Sequence, residues 1–98
     1  MNDDDQTALT EFCPEAGYLQ RMNFLTEDVK QKLIFFVLVK RLRETGKFDR
    51  FWDFAAWKHY EEFPDYIPER PLFLVIFDWL LDPARFAGLV AEFVKAHP

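Results

Sequence analysis

The chain has 98 residues and a formal net charge of −5; half of its residues are apolar and 30% are charged. That length suits a single domain, and the apolar content excludes a wholly disordered chain. The longest uninterrupted apolar stretches, Leu33 to Val39 and Leu72 to Phe77, fall far short of the roughly 20 residues a membrane-spanning helix needs.

The first six residues, Met1-Asn2-Asp3-Asp4-Asp5-Gln6, hold three consecutive aspartates and nothing apolar to bury beyond the initial Met. They read as a disordered acidic tail ahead of a single helical domain over residues 7–98. The same segment lacks the basic and apolar regions of a secretory leader, so a cytoplasmic location is expected. A short helix could begin near Thr7, interrupted by Pro14 and Gly17. Tyr18, Met22 and Leu25 then suggest one or two helical turns. Thr26 reads as an N-cap, with Glu27 and Asp28 placed to complement the positive end of a helix dipole. That helix is expected to run to about Thr45 and stop at Gly46, with Lys40, Arg41 and Arg43 near its negative end.

The centre of this helix, Leu33 to Val39, is apolar on every side and rich in β-formers, so a buried strand is the rival reading. The run passes without punctuation into Lys30-Gln31-Lys32 on one side and Lys40-Arg41-Leu42-Arg43 on the other, which favours helix. As a helix it would be the central element of the fold, covered on most sides.

Residues 48–62 form the next helix. At 100° per residue, Phe48, Phe51, Trp52, Ala55 and Ala56 gather with Phe63 on one arc, the expected core face. Phe54 and Trp57 fall on a different sector shared with Arg50 and Glu61. This second aromatic face either packs under the segment that follows or meets a partner. His59 lies inside the core arc, where a lone His is more often a packing residue than a catalytic one.

Pro64, Pro68 and Pro71 impose an extended connector, with Phe63, Tyr66 and Ile67 available to pin it down. Pro71 suits the first position of a helix over residues 72–81, although a strand from Leu72 to Phe77 is the alternative. Asp82-Pro83 supplies an N-cap and an N1 proline for a last helix ending near Ala96. Its residues Phe86, Leu89, Val90, Phe93 and Val94 follow the i, i+3, i+4, i+7, i+8 spacing of an amphipathic helix. The expected fold is therefore all-α: a small, compact, irregular bundle of three to five helices with a Pro-rich connector. The alternative is an α+β fold with the two apolar runs as strands.

Charge is segregated. Residues 1–28 sum to −6, residues 29–58 to +5 and residues 59–98 to −4. Either the segments neutralise one another across the fold, or Lys40, Arg41, Arg43, Lys47 and Arg50 form a docking patch. Direct nucleic-acid binding is not expected of so acidic a chain.

Little in the sequence points to catalysis. There is no serine to act as a nucleophile, and Cys13 has only His59 and His97 as imidazole partners. Three scattered glycines make no phosphate loop, and one Cys with two His is too few for a structural zinc site. No catalytic, cofactor or metal residue is assigned. Glu61, Glu62, Asp65 and Glu69 cluster around the connector and leave a small carboxylate-dependent enzyme as one alternative. An acidic nucleic-acid mimic, using Asp3–Asp5 and the same edge to block a nucleic-acid-binding protein, is another.

The positive signal is aromatic. Eighteen residues are Phe, Trp or Tyr, more than a core of this size readily encloses. The expectation is a non-enzymatic protein that docks on a larger protein or complex as inhibitor, adaptor, assembly factor or small subunit. Arg50, Phe54, Trp57 and Glu61 are the partner-binding residues, because interface centres favour aromatic residues and Arg. The excess of rings also suggests a possible homo-oligomer.

Overall fold

The computed structural model describes residues 2–97, and the two apolar runs are helices. Six helices are present among the described residues, with no strand: α1 (Asp3–Phe12), α2 (Pro14–Arg21), α3 (Glu27–Glu44), α4 (Phe48–Glu62), α5 (Leu72–Leu80) and α6 (Pro83–Ala96). The count exceeds the expected three to five: the short helix expected near Thr7 runs from Asp3 to Phe12, and the turns expected around Tyr18 belong to a second helix from Pro14 to Arg21.

The acidic residues read above as a tail form the first turn of α1. The Asn2 side chain accepts a hydrogen bond from the Asp5 N–H at 2.8 Å, and the three aspartates complement the helix dipole. Asp5 also pairs with Lys95 of α6. Cys13 ends α1, and Pro14 opens α2 at a position that needs no backbone donor. Gly17, expected to break a helix, lies within α2. A Cβ there would stand 2.8 Å from Thr10 Cγ2, so the glycine lets α1 and α2 approach closely.

Local signals set the remaining boundaries where expected. Thr26 Oγ1 accepts from the Val29 N–H at 3.3 Å to start α3, and Gly46 ends the chain's longest helix with φ at +69°, a left-handed conformation suited to glycine. Asp82 accepts from the N–H groups of Ala84 and Arg85 to start α6.

The central element is α6, not α3. It packs against α1, α3, α4 and α5, and six of its residues are buried: Phe86, Ala87, Leu89, Val90, Ala91 and Phe93. Its small residues Ala87 and Ala91 allow neighbouring helices to come close. By contrast α3 buries only Ile34, Leu38 and Leu42, and leaves Phe36 70% exposed with Val29 and Leu33 also in solvent. The fully buried centre joins Phe51, Phe93, Leu38, Leu42, Val90 and Cys13. Phe51 sits edge-on to both Phe86 and Phe93, with centroids 5.3 and 5.7 Å away. These are favourable quadrupolar arrangements within the packed core.

The proline connector is anchored through one buried residue. His59 contacts the rings of Phe63, Tyr66 and Trp79, so α4, the connector and α5 meet at its imidazole. Ile67, expected to help pin the connector, is 85% exposed and does not. Helix α5 packs against α4 and α6, with Arg85 donating to the Trp79 carbonyl at 2.8 Å.

Candidate partner-binding surface

Helix α4 divides its aromatic residues between two environments. Phe51, Ala55 and His59 are buried, and Phe48, Trp52 and Ala56 are half-buried beside them, as the expected core arc has it; Phe63, expected on the same arc, lies past the helix end at the start of the connector and is 40% exposed. Arg50, Phe54, Trp57 and Glu61 fall within about 60° on the opposite side at 100° per residue. Arg50, Trp57 and Glu61 are exposed there, whereas Phe54 is half-buried.

The half-burial of Phe54 has a definite cause. Its ring packs 5.6 Å from that of Phe93 and 6.0 Å from His97, while the Lys58 ammonium lies over its face at 5.6 Å. Lys58 in turn pairs with Glu92 of α6 at 3.4 Å. Phe54 therefore joins α4 to the end of α6 and presents only part of its ring. Trp57 differs: it is 59% exposed and stacks on Tyr60, itself 56% exposed, with centroids 5.6 Å apart. Both rings are more than half exposed, and together they make an aromatic ledge on α4, with Arg50 two turns before Trp57 and Glu61 one turn after it on the same sector. Tyr60 was missing from the sequence reading. Its i, i+3 spacing from Trp57 was the available signal.

The basic island separates into committed and free members. The Arg41 Nε donates to the Phe12 carbonyl at 2.8 Å, Lys47 sits over the Phe12 ring, and Lys40 pairs with Glu44 of its own helix. Lys32 pairs with Asp28 one turn away in its own helix and Lys58 with Glu92 of α6, so neutralisation across the fold is sparse. Arg43 and Arg50 form no ion pair among the described residues. Arg43 lines a shallow apolar groove of about 520 Å³ with Phe35, Phe36 and Val39. The groove adjoins a second hollow of about 470 Å³ at Phe48 and Gly46.

The groups weighed for chemistry are dispersed. Cys13 is fully buried at the junction of α1 and α2, its thiol directed at the Val37 carbonyl, and burial pushes its pKa above the ordinary value. His59 is enclosed by rings on a different side of the core. Glu61, Glu62, Asp65 and Glu69 are all exposed; the hollow at Glu62 is shared with Asp5, Lys58 and Glu92 and with none of the other three. Among the described residues no cluster of three or more His, Cys, Asp or Glu is placed to hold a metal ion. No helix of the described residues is long and apolar enough to cross a membrane.

A scan against protein-family models, a search of curated proteins and a search of solved structures each found no match to this chain.

Proposed function

We propose that this chain is a non-enzymatic binding protein that docks on a larger protein or complex through the outward face of α4. The observation that carries this reading is the Trp57–Tyr60 stack, two large rings held together and each more than half exposed, with Trp57 on the helical sector it shares with Arg50 and Glu61. A paired, pre-ordered aromatic ledge loses little side-chain freedom on binding, and Trp, Tyr and Arg are the residue types enriched at interface centres. Phe54 contributes its exposed edge and ties the ledge to α6, so the ledge is positioned by the core. Docking in this way suits an inhibitor, adaptor, assembly factor or small subunit.

The test is quantitative capture of partners from the source cell, with photo-crosslinkers placed at positions 57 and 60. Crosslinks to one protein that are lost in Trp57→Ala support the reading. Capture unchanged by Trp57→Ala and Tyr60→Ala would remove α4 from the interface. The acidic-mimic alternative predicts an affinity that falls steeply with salt and survives both substitutions, because carboxylates at the connector would carry it.

A further inference from the structure

Gly88 lies within α6, the helix on which the others pack, and neither backbone nor packing demands it. Its φ is not of the left-handed kind that glycine serves at Gly46, and a Cβ at this position would meet nothing within 4 Å. A glycine inside a helix weakens it relative to alanine, and here no close contact offsets that cost. What a side chain would enter instead is a hollow of about 370 Å³ bounded by α1, α2, α3 and α6. Small-molecule sites occupy roughly 300–1,000 Å³, so the hollow is large enough for a small ligand.

Its lining selects the chemistry. Asp5 is the one charged residue that faces the hollow. The Asp5 side chain is 17% exposed, and its Oδ1, although paired with Lys95, is buried and accepts no hydrogen bond of regular geometry. A carboxylate has about four lone-pair sites, so the pair with Lys95 leaves acceptor capacity unused. Gln31 commits its Nε2 to Glu27 Oε1 at 3.1 Å, which leaves its carbonyl oxygen to accept. Leu9, Ile34, Ala84 and Ala87 supply an apolar floor between these acceptors. An anion would meet a carboxylate and no base. A metal ion would find one carboxylate, since no cluster of three or more His, Cys, Asp or Glu stands there among the described residues. An organic cation suits every wall, and residues 1–28, which include the α1 and α2 walls, sum to −6 and attract positive charge.

We infer that the hollow over Gly88 binds a small aliphatic amine, with the ammonium donating to Asp5 and the hydrocarbon body lying on the apolar floor. The ammonium gains charge-assisted hydrogen bonds from an acid that is short of donors, and each buried methylene adds hydrophobic stabilisation. The absence of a side chain at Gly88 is what leaves room for the ligand, at the expense of helix stability.

The experiment titrates the full chain with putrescine, followed by amide NMR, with the neutral isostere butanediol and inorganic phosphate as comparisons. Saturable shifts at Ala84, Ala87, Gly88 and Gln31 are expected with putrescine at millimolar concentration. The diol should bind about 10-fold or more weakly, and so should putrescine to Asp5→Asn, because each change removes the charge-assisted bond. Phosphate should shift none of these positions. Gly88→Ala should melt no lower than wild type and bind less tightly, and Gly88→Leu should abolish binding; should leucine disturb folding, the loss in Gly88→Ala decides. Putrescine that gives no saturable shift at these positions, or a diol that binds equally well, overturns the inference. Shifts spread over exposed acids such as Asp3, Asp4 and Glu61 that persist in Gly88→Leu show a screening cation only and overturn it too. A Gly88→Ala variant that melts below wild type would mean that the glycine serves packing, with the same consequence. Amine binding is read with no protein partner present, so its failure is separate from that of docking through α4.

Discussion

Replacing Phe51 with Ala and, separately, Trp57 with Ala separates the two faces of α4 by free energy. Phe51 has no exposed surface and holds edge contacts with Phe86 and Phe93, so its truncation leaves a cavity where α4 and α6 meet. Such a change costs about 3–5 kcal/mol. A chain of this size has a total stability of roughly 5–15 kcal/mol. Each kcal/mol moves the melting temperature of a domain this small by about 4–8 °C, so Phe51→Ala should lower it by about 12–40 °C. Trp57 keeps 59% of its surface in water, and its chief contact is the stack on Tyr60. Losing such a pair costs about 0.5–1.5 kcal/mol beyond the partial burial of the ring, and the better helix propensity of Ala offsets part of the sum. Thermal and urea unfolding followed by circular dichroism read both values. A loss for Trp57→Ala equal to that for Phe51→Ala would make Trp57 a core residue and remove the α4 ledge.

Three further outcomes follow from particular contacts. Gly17→Ala sets a methyl against Thr10 Cγ2, a side-chain end that must shift, and gains about 1 kcal/mol of helix propensity, so its net cost should be about 0–2 kcal/mol; Thr10→Ser, which deletes that carbon, should raise the stability of Gly17→Ala in a double-mutant cycle by urea unfolding. His59→Ala should release the connector without unfolding the bundle; limited proteolysis should then cut between residues 63 and 71 faster than in the wild type, and unchanged cleavage would show that other contacts hold it. The buried Cys13 thiol has its pKa raised by desolvation, so its contribution to stability is complete below the ordinary thiol value and is lost as pH rises from there through the folded value. Between about pH 7 and about pH 10 the wild type should lose more stability than Cys13→Ala, and parallel curves would contradict the assignment.

Most helix boundaries were legible because they are local. Thr26, Gly46 and the Asp82-Pro83 pair act through hydrogen bonds and backbone dihedrals within a few residues, and α3, α4 and α6 begin and end where those residues place them. The core arc of α4 was legible for a related reason: the geometry of 3.6 residues per turn fixes which side chains share a face. Periodicity does not say how many neighbours a helix will have. Leu33 to Val39 is apolar all round, as a central helix would be, yet Phe36 remains in solvent and α6 is the helix packed against α1, α3, α4 and α5. The start of the chain shows the same limit. Three aspartates read as a tail until a helix end gives them a dipole to complement and Lys95 gives Asp5 a partner.

For the candidate surfaces, the sequence determined which residues lie on the outward sector of α4, namely Arg50, Phe54, Trp57 and Glu61. It could not determine their burial. Packing between distant segments sets that: the end of α6 half-covers Phe54, while Trp57 and Tyr60 stay more than half exposed. The excess of aromatic residues over core volume was likewise determined by composition, since a small domain has too little interior for eighteen rings. Which rings are left outside depends on helix packing: α5 packs chiefly against α4 and α6, and Phe73 and Phe77 remain in solvent. That outcome depends on contacts between residues far apart in the chain, which no local pattern encodes.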